Sequence, residues 1–206
     1  MKAISTNRLI IIFSIIFTLF YNFKFFKDMF LAYGFNGLNL LYFLSTAILL
    51  VALMSFIFSF FSSKYIIKPL FILLFVVSAF TAYFMDTYSI VIDTEMIRNS
   101  LQTNLKESMD LFSFKLILYV VFLAILPVYF IYKVRIEYKS LKVELFSRVK
   151  IIVLSLIIIL VIIFSFSKFY TSFAREHKPL RYNVNPIYWI YSIANYLNKT
   201  FDTAPT

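Results

Sequence analysis

"LNLLYFLSTAILLVALMSFIFSFF", residues 38–61, decides the fold. No residue in it is charged, and it exceeds the roughly 20 apolar residues that cross a hydrocarbon core. It follows "YGFNG" (33–37), which holds both glycines of the chain. Working outward, four more apolar runs appear, and the predicted spans are about 9–26, 38–61, 66–85, 115–133 and 149–168. The first is short, but Arg8 and Lys24 at its ends have stems long enough to reach the headgroups. It lacks a small-x-small cleavage pattern and reads as a retained anchor. Pro69 suits a first helical turn, and Pro127 predicts a kink in the fourth span.

The whole composition agrees. Of 206 residues, 62% are hydrophobic and 15% charged, and the charges sit between the runs. That excludes a large soluble catalytic domain within these residues. The net charge of +10 belongs to loops flanking apolar runs, so it reads as topology and anionic headgroups rather than nucleic-acid binding. Cysteine is absent and His177 is the only histidine, so cysteine or histidine-rich metal sites are excluded. The span cores carry no Asp, Glu, Lys, Arg or His, which argues against pumps, proton-coupled transporters and voltage sensors. Basic residues tie at ten on each side, but six of them crowd residues 133–150. Short loops dominate orientation, so the N-terminus is expected inside and the C-terminus outside. The spans are then scaffold, and function belongs to two outside segments.

The first is "DTYSIVIDTEMIRNSLQTNLKESMDLFSFK", residues 86–115. It predicts an amphipathic helix over about 94–110, with Asp93 or Thr94 as N-cap and Glu95 in the first turn. Ile97, Leu101, Leu105, Ser108 and Phe112 share one face; Asn99, Thr103 and Glu107 form a polar stripe at i, i+4, i+8. An amide, a hydroxyl and a carboxylate in line suit a zwitterion: the carboxylate takes an ammonium, the others a phosphate. The same stripe reads equally as the solvated face of an interfacial helix.

"DTYSIVIDTEMIRNSLQTNLKES" (86–108), a kinked span, a basic inside loop, another span and "SFAREHKPLRYNVNP" (172–186) together resemble the phosphoethanolamine–lipid A transferases. That family includes the mobile colistin-resistance enzymes. The resemblance implies the N-terminal membrane domain of such an enzyme: an all-α membrane protein of the bacterial inner membrane with five transmembrane helices. It implies a periplasmic, zinc-dependent catalytic domain, expected to lie beyond this chain, which alone is expected to be inactive. It also implies that Tyr88, Asn99, Thr103 and Glu107 bind the phosphatidylethanolamine donor, for transfer to lipid A or a related acceptor. Asn104 departs from the acidic residue common there in the family. The alternative is a non-catalytic membrane adaptor, and a small transporter is disfavoured by the absence of a visible inverted repeat.

The second outside segment, residues 171–206, follows the 1–170 bundle. Pro179 ends helix propagation, so an elbow is expected that turns Arg175, Lys178 and Arg181 toward lipid phosphates. A C-terminal interfacial helix over about 186–198 follows, with Tyr188, Trp189, Tyr191 and Tyr196 as an aromatic belt. His177 reads as a hydrogen-bonded interfacial residue.

Overall fold

A computed structural model of the chain describes residues 3–34, 36–61, 63–102, 113–137 and 140–202. Helix α1 (Thr6–Phe20) and α2 (Phe23–Tyr33) are joined at a 55° bend. Next come α3 (Gly37–Phe60), α4 (Ile67–Tyr88) and α5 (Thr94–Gln102). Helix α6 (Phe114–Lys133) contains a π-helical segment at Val120–Ile125. Helices α7 (Leu141–Ser165) and α8 (Ser167–Glu176), a 3-10 turn (Lys178–Asn183) and α9 (Ile187–Asp202) complete the described residues.

Three helix starts among the described residues are capped by side chains. The Asn36, Asp93 and Ser113 side chains accept from the N–H groups of Asn39, Met96 and Leu116 at 3.1, 2.8 and 3.1 Å. Of the two candidates for the α5 cap, the structure selects Asp93. Helices α3, α4, α6 and α7 are each long and apolar enough to cross a membrane, and the bent α1–α2 pair supplies the fifth span.

Residues at one end of the bundle are tied together. Strand β1 (Ile4–Ser5) pairs in parallel with β2 (Ile136–Glu137), and Asn7 donates to the Ser147 carbonyl at 2.9 Å. Lys68 donates to the Val134 carbonyl at 2.9 Å. Residues 3–7, Lys68, residues 134–137 and the first turns of α7 therefore share one end of the bundle.

Helix α4 is central: half of its most apolar window is covered by protein, against 17% for α7, which faces lipid. Lipid removes the hydrophobic drive between helices, so packing and interhelical hydrogen bonds hold the bundle. Phe17 stacks on Phe75 at 4.6 Å, and Phe13 meets Phe71 edge-on at 4.6 Å. Buried Ser55 donates to buried Ser14 at 3.0 Å, linking α3 to α1.

Several sequence expectations are corrected. The first run is no single helix over 9–26, because Asn22 turns its side chain onto the Phe17 carbonyl and the chain bends there. The fourth span carries a π segment before Pro127, and the Tyr21 hydroxyl donates to the Leu123 carbonyl within it. The fifth span breaks at Phe166, and Arg175 lies in α8 rather than after the helix, so the elbow begins at His177. Trp189 is no belt residue: it is buried at 6% exposure, because Ser78 and Asn185 offer its indole N–H two acceptors inside the bundle. His177 packs edge-on against Tyr33, ring centres 5.0 Å apart. The expected helix over about 94–110 is described only as far as Gln102.

Candidate functional site at the clamped end of the bundle

At the end opposite the β1–β2 ladder, polar side chains gather where α1 breaks, α4 ends and the tail returns. Asn22 sits in that break. Its amide donates to the Asn185 carbonyl at 2.7 Å, and its carbonyl oxygen accepts from the Asn185 N–H at 2.9 Å. The Asn185 side chain donates to the Ser78 carbonyl at 3.0 Å, and the Trp189 indole donates to the Ser78 hydroxyl at 3.2 Å. Asn22, Asn185 and Ser78 are all almost fully buried. Buried amides need such partners, so these residues clamp the tail to α1 and α4.

A second polar cluster sits beside it. Asp86 accepts from the Lys24 backbone N–H at 3.0 Å and from the Tyr119 hydroxyl at 2.9 Å, tying α4 to α2 and α6. Asp28 pairs with Lys24 at 2.6 Å and accepts from the Asn183 side chain at 2.9 Å. The Asp28 carboxylate thereby holds the elbow against α2. Sequence reasoning missed Asn22, Ser78, Asp86, Asn183, Asn185 and the core role of Trp189. The visible signal was the three asparagines within "YNFK" (21–24) and "NVNP" (183–186), in stretches where an amide must find a partner.

The predicted donor residues fall on two elements. Tyr88 occupies the last turn of α4, half exposed, its hydroxyl 3.4 Å from that of Tyr83, which lies 2.7 Å from the Ser113 hydroxyl. Asn99 lies on the exposed face of α5. Thr103, Asn104 and Glu107 lie outside the described residues.

The three predicted phosphate contacts fall in two places. Arg175 and Lys178 line an open groove of about 570 Å³ along α8, with Ser167, Tyr170 and Thr171. Arg181 lines a separate cavity of about 550 Å³ between α5, the 3-10 turn and α9. Its other walls are Thr94, Tyr182, Tyr188, Tyr191 and Asn195, and Asn195 donates to the Thr94 hydroxyl at 3.4 Å. Burial first, then the nearby Asp93 carboxylate, pushes the Tyr188 hydroxyl above the usual tyrosine range, so it stays neutral. Tyr188, Tyr191, Ser192 and Asn195 repeat at i, i+3, i+4, i+7, a stripe the sequence carries openly. Among the described residues no three His, Asp or Glu side chains gather to hold a metal, so they offer the zinc implied by the resemblance no ligand set.

The family model for phosphoethanolamine transferase EptA/EptB matches residues 50–201. Phosphatidylethanolamine transferase Mcr-1 of Escherichia coli is 42% identical over 156 residues, covering 75% of this chain and 29% of its own length. Phosphatidylethanolamine transferase Mcr-2 of Escherichia coli is 36% identical over 170 residues, covering 82% and 32%. The solved lipooligosaccharide phosphoethanolamine transferase A (EptA) of Neisseria meningitidis superposes with a TM-score of 0.92 at 25% identity, over 99% of this chain and 38% of that one. The chain thus spans about a third of the length of these relatives. The bent first span, the charge-poor bundle and the docked tail are the membrane-domain fold of such proteins, and the chain belongs to the phosphoethanolamine transferase EptA/EptB family.

Proposed function

We propose that this membrane domain binds phosphatidylethanolamine at its outer face, as donor of phosphoethanolamine, and carries a periplasmic zinc-dependent catalytic domain on its tail. The acceptor in this reading is lipid A or a related glycolipid. The observation that carries it is the packing of α5 on α9, seen in the Asn195–Thr94 contact, while the Asn22–Asn185 pair clamps the tail to the bundle. One rigid unit then holds both the candidate donor helix and the segment leading onward. The names of the relatives supply the substrate class.

In this reading Tyr88, Asn99, Thr103 and Glu107 contact the headgroup. Glu107 takes the ammonium, because a carboxylate attracts a cation and repels phosphate. Asn99 and Thr103 donate to phosphate oxygens. Glu107→Gln should weaken phosphatidylethanolamine binding about 10- to 100-fold, the equivalent of one charge-assisted hydrogen bond. Asn99→Ala and Thr103→Ala should each cost less. Arg98→Gln should change little, since its pair with Glu95 is exposed and 3.5 Å long. Native mass spectrometry against phosphatidylglycerol reads the preference. An unchanged preference in Glu107→Gln, with loss in Arg98→Gln, would show that α5 has been read with the wrong face toward the lipid.

The proposed orientation puts the N-terminus in the cytoplasm and α5 and α9 in the periplasm of a bacterial inner membrane. The chain has no native cysteine. Single cysteines at positions 104 and 200 should therefore react with an impermeant reagent added outside intact inner membranes. Labelling only from the cytoplasmic side reverses the topology.

A further inference from the structure

The cavity beneath α5 has two chemically different walls. One is a single face of α9, where Tyr188, Tyr191, Ser192 and Asn195 line up, while Trp189 points into the bundle. The other is Arg181 on the 3-10 turn. Arg181 donates to the Tyr182 hydroxyl at 3.1 Å, a bond that uses one of its five N–H donors. Among the described residues the ion pairs are Lys24–Asp28, Arg98–Glu95 and Arg148–Glu144, so no carboxylate there neutralises Arg181. This wall suits an anion with several oxygens.

The α9 wall suits a cation. The ring centres of Tyr182 and Tyr188 are 4.9 Å apart, and those of Tyr188 and Tyr191 are 6.1 Å apart, tilted by 41° and 33°. The Arg181 guanidinium already lies over the Tyr182 ring at 5.0 Å, so it is Tyr188 and Tyr191 that can attract a ligand ammonium through the aromatic quadrupole. The Asp93 carboxylate acts on Tyr188 and adds negative potential on this side. The Asn195–Thr94 contact is long at 3.4 Å, so both groups can turn to a ligand oxygen at small cost. At about 550 Å³ the space is of ordinary ligand size. A bare anion satisfies only Arg181 and a bare cation only the tyrosines; one ligand carrying both charges satisfies the two walls together.

We propose that this cavity binds a zwitterionic phosphate–ammonium headgroup of the phosphoethanolamine type, with the phosphate on Arg181 and the ammonium across the faces of Tyr188 and Tyr191. The site is separate from the stripe that carries Asn99. Thr94 and Asn99 are five residues apart, about 140° around a helix, so they project from different sides of α5. The choice of headgroup rests on the donor-lipid reading above, but the residues differ, so the two can fail independently.

The test uses the full chain in detergent micelles, titrated with phosphatidylethanolamine or phosphatidylglycerol and read by native mass spectrometry. Soluble O-phosphoethanolamine and inorganic phosphate serve as competitors. Arg181→Gln should lower phosphatidylethanolamine affinity by at least about 10-fold, the loss of a charge-assisted bond. Tyr191→Leu should lower it about 2- to 5-fold, the size of one cation–π contact, and leave phosphatidylglycerol unaffected. Both side chains are exposed, so neither variant threatens the fold. Competition by O-phosphoethanolamine upholds the site and assigns recognition to the headgroup alone; lipid binding without it, still lost in Arg181→Gln, upholds the site for an intact lipid. Wild-type affinity and preference in both variants overturn the proposal. So does displacement by inorganic phosphate as efficient as by O-phosphoethanolamine, because the tyrosine wall then contributes nothing. Loss in Arg181→Gln with none in Glu107→Gln keeps this site and removes the stripe; the opposite result does the reverse.

Discussion

Asn22→Leu is expected to lower the stability of the joint between tail and bundle by about 2–6 kcal/mol, through two orphaned backbone groups at about 1–3 kcal/mol each. The two groups are the N–H and carbonyl of Asn185, which is 1% exposed and exchanges both bonds with the Asn22 side chain. The Phe17 carbonyl does not suffer, since it also accepts from the Tyr21 N–H at 3.1 Å. Leucine is similar in size to asparagine, so the cost is polar rather than steric. Asn22→Asp is no rescue: its carboxylate accepts from the Asn185 N–H but sets a buried charge against the Phe17 and Asn185 carbonyl oxygens, so it should be at least as damaging as leucine. Limited proteolysis in detergent, scored at residues 177–186, and the thermal midpoint measure the effect. Leucine variants with wild-type protease resistance and midpoint would show that the clamp carries no weight.

Trp189→Ala is the second large loss, at about 3–5 kcal/mol for deleting a buried aromatic side chain. The indole fills a space bounded by Ser78 and Asn185 and donates to both at 3.2 Å. Its removal leaves a cavity and strips the Ser78 hydroxyl of a donor. Tyr191→Ala, two residues along α9, is the contrast, because Tyr191 is 61% exposed and should cost within about 0.5 kcal/mol. A belt role for both aromatics predicts similar losses; a core role for Trp189 alone predicts a difference of several kcal/mol. Thermal unfolding of the two variants in the same detergent separates these outcomes. Trp189→Phe should recover the packing and lose the hydrogen bonds, which isolates their share.

The spans were legible because a bilayer imposes a length rule on composition, and residues 38–61 obey it without ambiguity. The cap at Asp93, one of two candidates, and the role of Pro69 were equally local, decided within one helical turn. The bend at Asn22 was not. The Asn22 amide that turns onto the Phe17 carbonyl there also bonds a residue 163 positions away, and no spacing rule in a single sequence connects that second pair. Trp189 was misread for the same reason: a tryptophan near a membrane surface fits an aromatic belt until a serine in mid-α4 is known to face it. The donor stripe came from periodicity within one helix and from resemblance, and the packing of α5 on α9 required the fold. That Arg175 and Lys178 share a groove while Arg181 lines another was not legible, because α8 continues through Arg175 and the 3-10 turn sends Arg181 to another face.

Trp189 is also the only tryptophan in the chain. The clamp therefore contains its own spectroscopic label. An indole enclosed among Ser78, Asn185 and the bundle emits from a fixed, water-poor environment, while one on a released tail emits from solvent or headgroups. Emission maximum and acrylamide quenching then report the docking of α9 directly, in native protein and without labelling, wherever the fifteen tyrosines are excluded by exciting at the red edge of the indole band.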